Sequence, residues 1–207
     1  MKKILLSLAF FAALLSAETK MEYTLSYVGM NMDYKEYDSA GTLLDSEESG
    51  YSDLTGIEFG YSYFLDRQSQ IDFKVMSLSG DTKYVGSYLN SNQGYGSVVS
   101  TTTNEIRDIY LGYSAKNEYR NNFYLLGNLG VGYRYWQRSL SSVQVEEYEW
   151  YSLRLGIGAE YKYKAFSIAV CGEYQYGIRP TMSATGISDD FELDSADIMQ
   201  LSVPVRY

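Results

Sequence analysis

The chain has 207 residues, a formal net charge of -9, 23 Tyr, 18 Gly, one Cys and no His. Its mean hydropathy of -0.26 excludes a bundle of membrane helices, since each helix needs about 20 mostly apolar residues. The single Cys excludes an intramolecular disulfide and a zinc site built from several cysteines, and the lack of His excludes an imidazole base or metal ligand. The length suits one all-β domain or at most two small domains.

The N-terminal segment has the pattern of an export signal. The basic residues Lys2 and Lys3 precede the apolar run Ile4–Leu15, which ends at small residues. This pattern is typical of a cleaved signal peptide, and the run is too short to span a membrane. We therefore predict a signal peptide over residues 1–17 and a mature domain over 18–207. Its 15 basic and 26 acidic residues give a charge of -11, which disfavours a nucleic-acid partner.

Apolar and polar residues alternate through the mature chain, which predicts β-strands with two unlike faces. Near Gly29 the apolar residues of the first strand change from odd-numbered to even-numbered positions. A β-bulge would explain this change. In chain order the eight predicted strands are Met21–Tyr34, Thr55–Leu65, Ile71–Val75, Asp108–Ser114, Phe123–Tyr135, Tyr151–Tyr161, Phe166–Tyr176 and Met199–Tyr207.

The connections between these strands alternate in length. Three are short turns, at Asp66–Ser69, Ala115–Asn121 and Lys162–Ala165. Four are long and polar, at Lys35–Ser52, Tyr84–Thr102, Arg138–Glu147 and Arg179–Asp190. Short turns at one end and long loops at the other are typical of transmembrane β-barrels. The fold prediction is therefore an all-β, eight-stranded antiparallel transmembrane β-barrel, connected as an up-and-down meander.

The two faces of the predicted strands indicate which one points outward. A soluble barrel would present a charged outer face, whereas the polar faces here carry glycine, serine and isolated charges of both signs. These charges are Glu58, Asp72, Lys74, Asp108, Arg134, Arg154, Glu160, Glu173 and Arg206. Aromatic residues gather near strand ends, as in the girdles at lipid–water boundaries: Tyr23, Tyr63, Phe123, Tyr135, Trp150 and Phe166. A soluble periplasmic binding barrel, with these aromatics as its core, is the alternative.

The last segment alternates from Met199 and ends in the aromatic residue Tyr207. It resembles the terminal signature of outer-membrane barrels, although Tyr replaces the usual Phe. The mature chain as a whole resembles the small eight-stranded barrels of the outer membrane protein X and A type. This resemblance implies a monomer in the cell outer membrane, in contact with lipid and lipopolysaccharide. It also implies that the barrel-assembly machinery recognises the last strand, and that the long loops serve envelope integrity, adhesion or contact with an extracellular ligand.

Catalytic chemistry has little support in this sequence. Small outer-membrane enzymes rely on a His that the chain lacks, and a hydroxyl without a base is a poor nucleophile. A Ser–Lys pair through Lys74 is conceivable, but an ion pair inside the barrel fits that residue better. We predict a non-enzymatic protein with no catalytic residue, cofactor or metal site.

The acidic loop residues suggest one binding hypothesis. Asp45, Glu47 and Glu48 would neighbour the second acidic group if the first and last strands adjoin, and clustered carboxylates can bind Ca²⁺ or Mg²⁺. That second group is Asp189, Asp190, Glu192 and Asp194. The spacing matches no calcium loop, so we predict solvated charge there and at Glu146-Glu147. Cys171 is expected to be a structural thiol facing the lumen.

A small channel for ions or small solutes is the alternative function. Eight strands leave an interior that side chains can fill, whereas diffusive porins have about 16–18 strands. Arg134 and Arg154 face the lumen on adjacent strands and need acidic partners. We therefore predict an ion-paired lumen with little conductance.

Overall fold

The computed structural model describes residues 20–38, 40–87, 94–186, 191–194 and 196–206, without the side chain of residue 206. Within these residues the regular structure is a 12-stranded antiparallel sheet without helices, so none of the described segments is a helix that could cross a membrane. The predicted signal peptide and Tyr207 lie outside the described residues. The strands are β1 (Met21–Met30), β2 (Asp33–Tyr37), β3 (Leu43–Glu48), β4 (Leu54–Phe64), β5 (Ser69–Gly86), β6 (Val98–Arg120), β7 (Phe123–Ser139), β8 (Val145–Tyr163), β9 (Phe166–Ala184), β10 (Phe191–Glu192), β11 (Ile198–Ser202) and β12 (Val205–Arg206).

The strand order is that of a meander, β1-β4-β5-β6-β7-β8-β9, which confirms the predicted antiparallel arrangement. Strand β2 continues β1, and β3 precedes β4 on the neighbouring path; β2 pairs with β3 as β1 pairs with β4. Strands β10, β11 and β12 all pair with β9. The 12 strands therefore occupy eight successive positions across the sheet.

The strands extend well into the segments that were predicted as long loops. Strands β2 and β3 lie inside the predicted first loop, and β5 to β9 run for 17 to 23 residues each. The loop predictions were wrong for these parts of the chain. In these parts of the chain the strands still alternate, but the outward side chains are polar instead of apolar.

Burial confirms which face of the sheet is exposed. The apolar faces of the predicted strands lie on the outside, where Leu25 is 75% and Ile157 is 74% exposed. The polar faces lie inside, where Asp108 is 5% and Arg154 is 4% exposed. This placement is the reverse of that in a water-soluble barrel, which buries its apolar face. We call the exposed apolar surface the apolar band; its outward residues lie within 21–27, 57–63, 71–75, 109–115, 123–135, 151–163, 166–178 and 199–205.

The polarity of the two faces inverts along the same strands, beyond the apolar band. On β6, Ile109 is exposed and Asp108 is buried, but next to them Arg107 is exposed and Ile106 is buried. The inversion of polarity occurs at residues that are paired across neighbouring strands. For example, Ser77 on β5 pairs with Arg107 on β6. The outward residues change there from Val75 to Ser77, from Tyr135 to Gln137 and from Tyr151 to Glu149.

This inversion corrects two predictions. Strand β1 pairs with β4 without a register shift from Met21↔Tyr63 to Met30↔Leu54, so the bulge predicted near Gly29 is wrong. Inward and outward positions of β1 continue to alternate without an inserted residue. What changes is that the inward side chains become apolar. Trp150 was predicted in an outward girdle, but it faces inward and is buried. Tyr23, Phe123 and Phe166 do lie on the exposed face.

Beyond the apolar band the inward side chains form an apolar core. Trp136 and Tyr148 stack at its centre, with ring centroids 4.3 Å apart. The buried members are Met32, Leu54, Met76, Leu78, Ile106, Trp136, Tyr148, Trp150 and Met182. Met30 from one edge of the sheet and Ile198 from the other both pack against this core. The sheet therefore curls so strongly that its two edges meet the same cluster.

Candidate functional site

The interior of the curled sheet holds two layers of buried charge, and the first lies at the level of the apolar band. Asp108 on β6 accepts hydrogen bonds from two arginines. Arg134 Nε on β7 donates to Oδ2 at 2.8 Å, and Arg154 Nη2 on β8 donates to both carboxylate oxygens at 2.8 Å. All three side chains are at most 5% exposed. We call these three residues the lumen triad; they confirm that the two predicted lumen arginines are ion-paired.

Alternation and packing explain how side chains from three strands meet at one point. Each residue lies at an inward position of its strand, and Arg154 reaches across β7 to Asp108. A side chain at Gly132 would collide with the Arg154 guanidinium, so glycine on β7 makes the crossing possible. The lumen glycines thus provide space for large neighbouring side chains.

Other predicted lumen residues also lie at inward positions, with different partners. Glu173 accepts a hydrogen bond from Asn128 Nδ2 at 2.8 Å, and Asp72 accepts one from Gln70 Nε2 at 2.7 Å. Lys74 lies with its ammonium 5.4 Å from the ring centroid of Tyr110. Glu160 is buried and lies 3.6 Å from Lys162 Nζ. Polar and charged side chains therefore fill much of the interior at the level of the apolar band.

The second layer lies at the end with the long connections and centres on Arg138 of β7, whose side chain is fully buried. Its Nη1 donates to Glu146 Oε2 at 2.8 Å, its Nε donates to Glu47, and its Nη2 lies 3.5 Å from Asp45 Oδ1. Glu36 lies close enough for its charge to interact with Asp45 and Glu146. We call these five residues the mouth cluster.

Aromatic and amide side chains enclose the mouth cluster. The Arg138 guanidinium lies 4.7 Å from the ring centroid of Tyr34 and 5.2 Å from that of Tyr84, a cation–π arrangement. The Tyr34 and Tyr148 hydroxyls are 3.1 Å apart. Trp136 Nε1 donates to Asn104 at 2.6 Å, and this asparagine donates in turn to Glu47 at 2.6 Å. The cluster is thereby anchored to the apolar core.

The mouth cluster carries one cation against four carboxyl groups, and burial changes the proton affinity of two of these groups. Burial raises the pKa of Asp45, although Arg138 acts in the opposite direction. Burial raises the pKa of Glu36 as well, with a further contribution from the negative charge of Asp45. Burial also raises the pKa of Tyr84 to about 12. Asp45 and Glu36 therefore hold protons more strongly than they would in water.

The structure corrects the prediction of solvated charge at several acidic residues. Asp45, Glu47 and Glu146 were expected in open loops, but they are buried and ion-paired. Asp189 and Asp190 lie outside the described residues, whereas Glu192 is exposed on β10. Cys171 is half-buried at an inward position, as predicted, with its Sγ facing Gly158.

Arg138 was also assigned to a loop, so the sequence analysis missed its place in the interior. Continuing the alternation of β7 past Tyr135 would have placed it on the same face as Arg134. Its partner Glu47 lies 91 residues away in the chain, so the contact depends on the curvature of the sheet.

The chemistry of this interior is charge neutralisation and space filling. The described residues contain no group of three or more acidic or Cys side chains placed to hold a metal ion. A comparison of the chain with protein-family models and with curated proteins gives no match. The two faces of the sheet and its interior are therefore the features that bear on function.

Proposed function

We propose that the protein is a monomeric, non-enzymatic β-barrel of the outer membrane that is exported by its N-terminal signal peptide. Lipid surrounds the apolar band, and the lumen triad fills the interior. The strands beyond the band extend into water on the outer side of the membrane. There they display the long connections for envelope integrity, adhesion or contact with a surface ligand.

The inversion of polarity along single strands is the observation that carries this proposal. A sheet in water has no reason to expose Leu and Ile on one half of a strand and to bury them on the other half. A strand that leaves lipid for water has this pattern, because the favourable outward residue changes at the boundary. On β8 the outward residues from Tyr151 to Tyr163 are apolar or aromatic. They span about 40 Å along the strand, which a tilt of about 40° reduces to about 30 Å, the thickness of the hydrocarbon layer.

Closure of the sheet into a barrel follows from the same physics. An open sheet edge in hydrocarbon leaves backbone N–H and C=O groups without partners, at several kcal/mol each. We infer that β1 pairs with β11 and β12 in the membrane. The packing of Met30 and Ile198 on one core supports this, because it brings the two edges together beyond the band.

The filled interior favours a barrel without an open passage over the small channel. The lumen triad blocks the passage at the level of the band, and the stacked Trp136 and Tyr148 block it again beyond the band. An open path would have to break buried ion pairs, which costs about 3–5 kcal/mol for each removed partner.

Fractionation and gel mobility test the membrane proposal. Protein expressed with its signal peptide should separate with the outer membrane, and its mature form should begin at Glu18. Its mobility in detergent gels should change on boiling, because a closed hydrogen-bonded sheet resists detergent until it is heated. Recovery in the soluble periplasmic fraction, with unchanged mobility, would support the soluble binding barrel instead.

Conductance separates the closed barrel from the channel. The purified protein in planar bilayers should show little steady current, whereas a stable, large conductance would overturn the closed interior and favour transport.

A further inference from the structure

The end of the sheet with the short turns, which we call the short-turn end, carries exposed basic residues at intervals around its rim. Lys20 precedes β1, and its carbonyl accepts a hydrogen bond from Phe64 N at 2.7 Å. Arg67 lies in the turn between β4 and β5, Arg120 ends β6, and Lys164 lies in the turn between β8 and β9. All four basic side chains are exposed, and we call them the basic rim. Since the strands form a meander, these residues are distributed around the curled sheet.

Each residue of the basic rim lies within two positions of an exposed apolar or aromatic residue. The Arg120 guanidinium lies 5.4 Å from the ring centroid of Tyr119, and the Lys164 ammonium lies 5.4 Å from that of Tyr163. Aromatic and basic side chains are typical of the boundary between hydrocarbon and headgroups, where the charged ends reach toward the headgroups. The exposed neighbours of the basic rim are Met21, Leu65, Tyr119 and Tyr163.

The exposed acids of the short-turn end are bonded within their own turns. Asp66 Oδ1 accepts hydrogen bonds from the backbone N–H groups of Gln68 and Ser69, at 2.7 and 2.8 Å. Glu118 accepts one from Asn122 N at 3.4 Å. Within the part of the chain that the structure describes, no carboxylate forms an ion pair with the basic rim. The four cations are therefore available to an external anion.

The opposite end of the sheet has the reverse charge. Among the described residues there, exposed acids outnumber exposed bases. Two of these bases already have acidic neighbours, since Lys35 Nζ lies 2.7 Å from Asp33 and Arg107 Nη2 lies 3.4 Å from Glu105. An anionic layer would therefore be attracted to the short-turn end and repelled from the other end. The exposed bases of the opposite end are Lys35, Lys83, Arg107 and Arg179.

We propose that the basic rim binds the headgroups of anionic phospholipids in the leaflet that surrounds the short-turn end. The acyl chains lie against the apolar band, and the four cations contact the phosphate groups. An acidic polymer in water would also be attracted to these cations, but it would not explain the exposed apolar side chain beside each of them. This inference rests on the proposed function, since these lipids surround the rim only when the barrel lies in a membrane.

Electron paramagnetic resonance of spin-labelled lipids tests the basic rim. The mature protein is inserted into phosphatidylcholine vesicles that contain a trace of spin-labelled phosphatidylglycerol or spin-labelled phosphatidylcholine. The fraction of each label that the protein immobilises gives the relative association constant of the two lipids. The rim variant combines Lys20→Gln, Arg67→Gln, Arg120→Gln and Lys164→Gln.

The matched control removes the same number of positive charges from the opposite end, so that both variants have the same net charge. A second control exchanges lysine for arginine and arginine for lysine at the four rim positions, which keeps every charge. The variant that removes charge from the opposite end combines Lys35→Gln, Lys83→Gln, Arg107→Gln and Arg179→Gln.

The wild type should prefer phosphatidylglycerol at least about threefold at low salt, because basic residues near a membrane surface attract anionic headgroups. The preference should fall toward one at about 1 M salt, where the Debye length is about 3 Å. Both controls should keep the preference at low salt, and the rim variant should lose most of it.

Three results would overturn the lipid assignment: no preference in the wild type, an unchanged preference in the rim variant, or equal loss in the two glutamine variants. Binding of heparin that depends on the rim, without a lipid preference, would assign the rim to an acidic polymer instead. The salt titration of the wild type tests the proposal even if the rim variant does not fold. Gel mobility and vesicle insertion are measured on each sample: a wild type that inserts without a lipid preference contradicts this inference alone, and one that does not insert contradicts the proposed function.

Discussion

Removing the carboxylate of the lumen triad should destabilise the protein more than removing an exposed one. Asp108→Asn preserves the shape of the side chain but removes the carboxylate that Arg134 and Arg154 share. All three side chains are at most 5% exposed, so little water is available to replace the lost charge. Loss of one partner from a buried ion pair costs about 3–5 kcal/mol. We expect the free energy of unfolding to fall by about 4 kcal/mol, less wherever water enters the lumen.

The matched control is Asp81→Asn, because Asp81 lies on β5 with an exposed side chain bonded to Thr103. Its effect should stay below about 1 kcal/mol. The assay is equilibrium urea unfolding in lipid vesicles, followed by tryptophan fluorescence. Both tryptophans report on the interior, since Trp136 and Trp150 are buried in the apolar core.

A double-variant cycle separates the ion pair from general damage to the fold. Asp108→Asn combined with Arg154→Gln should cost less than the two single changes together, because the double variant leaves one unpaired cation instead of two. Arg154→Ala alone should also lower the unfolding midpoint. Equal effects of Asp108→Asn and Asp81→Asn would refute a dry, ion-paired lumen.

Three further predictions concern the mouth, the core and the last strand. Burial raises the pKa of Asp45 and Glu36 in the folded hairpin of β2 and β3. Protonation of these two groups therefore stabilises the hairpin at acid pH, and this stability is lost as the pH rises through the raised pKa values. Its amide exchange, corrected for intrinsic rates, should slow as the pH falls from neutral through those raised pKa values, and Asp45→Asn should remove much of this change. Trp136→Ala should lower the free energy of unfolding by about 3–5 kcal/mol in the same urea assay, because it empties the centre of the apolar core; a value near zero would contradict that core. Deleting Tyr207 should reduce the yield of heat-modifiable protein more than shortening any long connection does, since an unclosed edge in lipid is costly; a normal yield would argue against the terminal signature.

Period-two alternation predicted the exposed apolar face and the lumen arginines because it is a local property. Strands such as β8 alternate without interruption through the apolar band, so Leu155 and Arg154 fall on opposite faces wherever the strand begins. Alternation alone leaves five inward acids as candidate partners of the two arginines: Glu58, Asp72, Asp108, Glu160 and Glu173. Only the register of the sheet selects Asp108.

The sequence could not give the true length of the strands, because the meaning of the pattern changes at the boundary. At Arg107 and Glu149 the outward side chains become polar. In the sequence alone, this change looks like a loop or like a shift in the alternation. The same inversion put Trp150 on the wrong face in the prediction and hid Arg138. Interpreting an alternation of reversed polarity as a continued strand would have recovered both.

The most direct test of the account measures the environment of outward side chains on both sides of the polarity inversion. In a Cys171→Ser background, spin labels at Leu111→Cys and Leu155→Cys probe the apolar band, and labels at Thr103→Cys and Glu149→Cys probe the same strands beyond it. In vesicles, the two band labels should be relaxed by oxygen and protected from a water-soluble nickel chelate, and the two outer labels should show the opposite behaviour. Equal access of the nickel chelate to all four labels would contradict the claim that the apolar band lies in lipid.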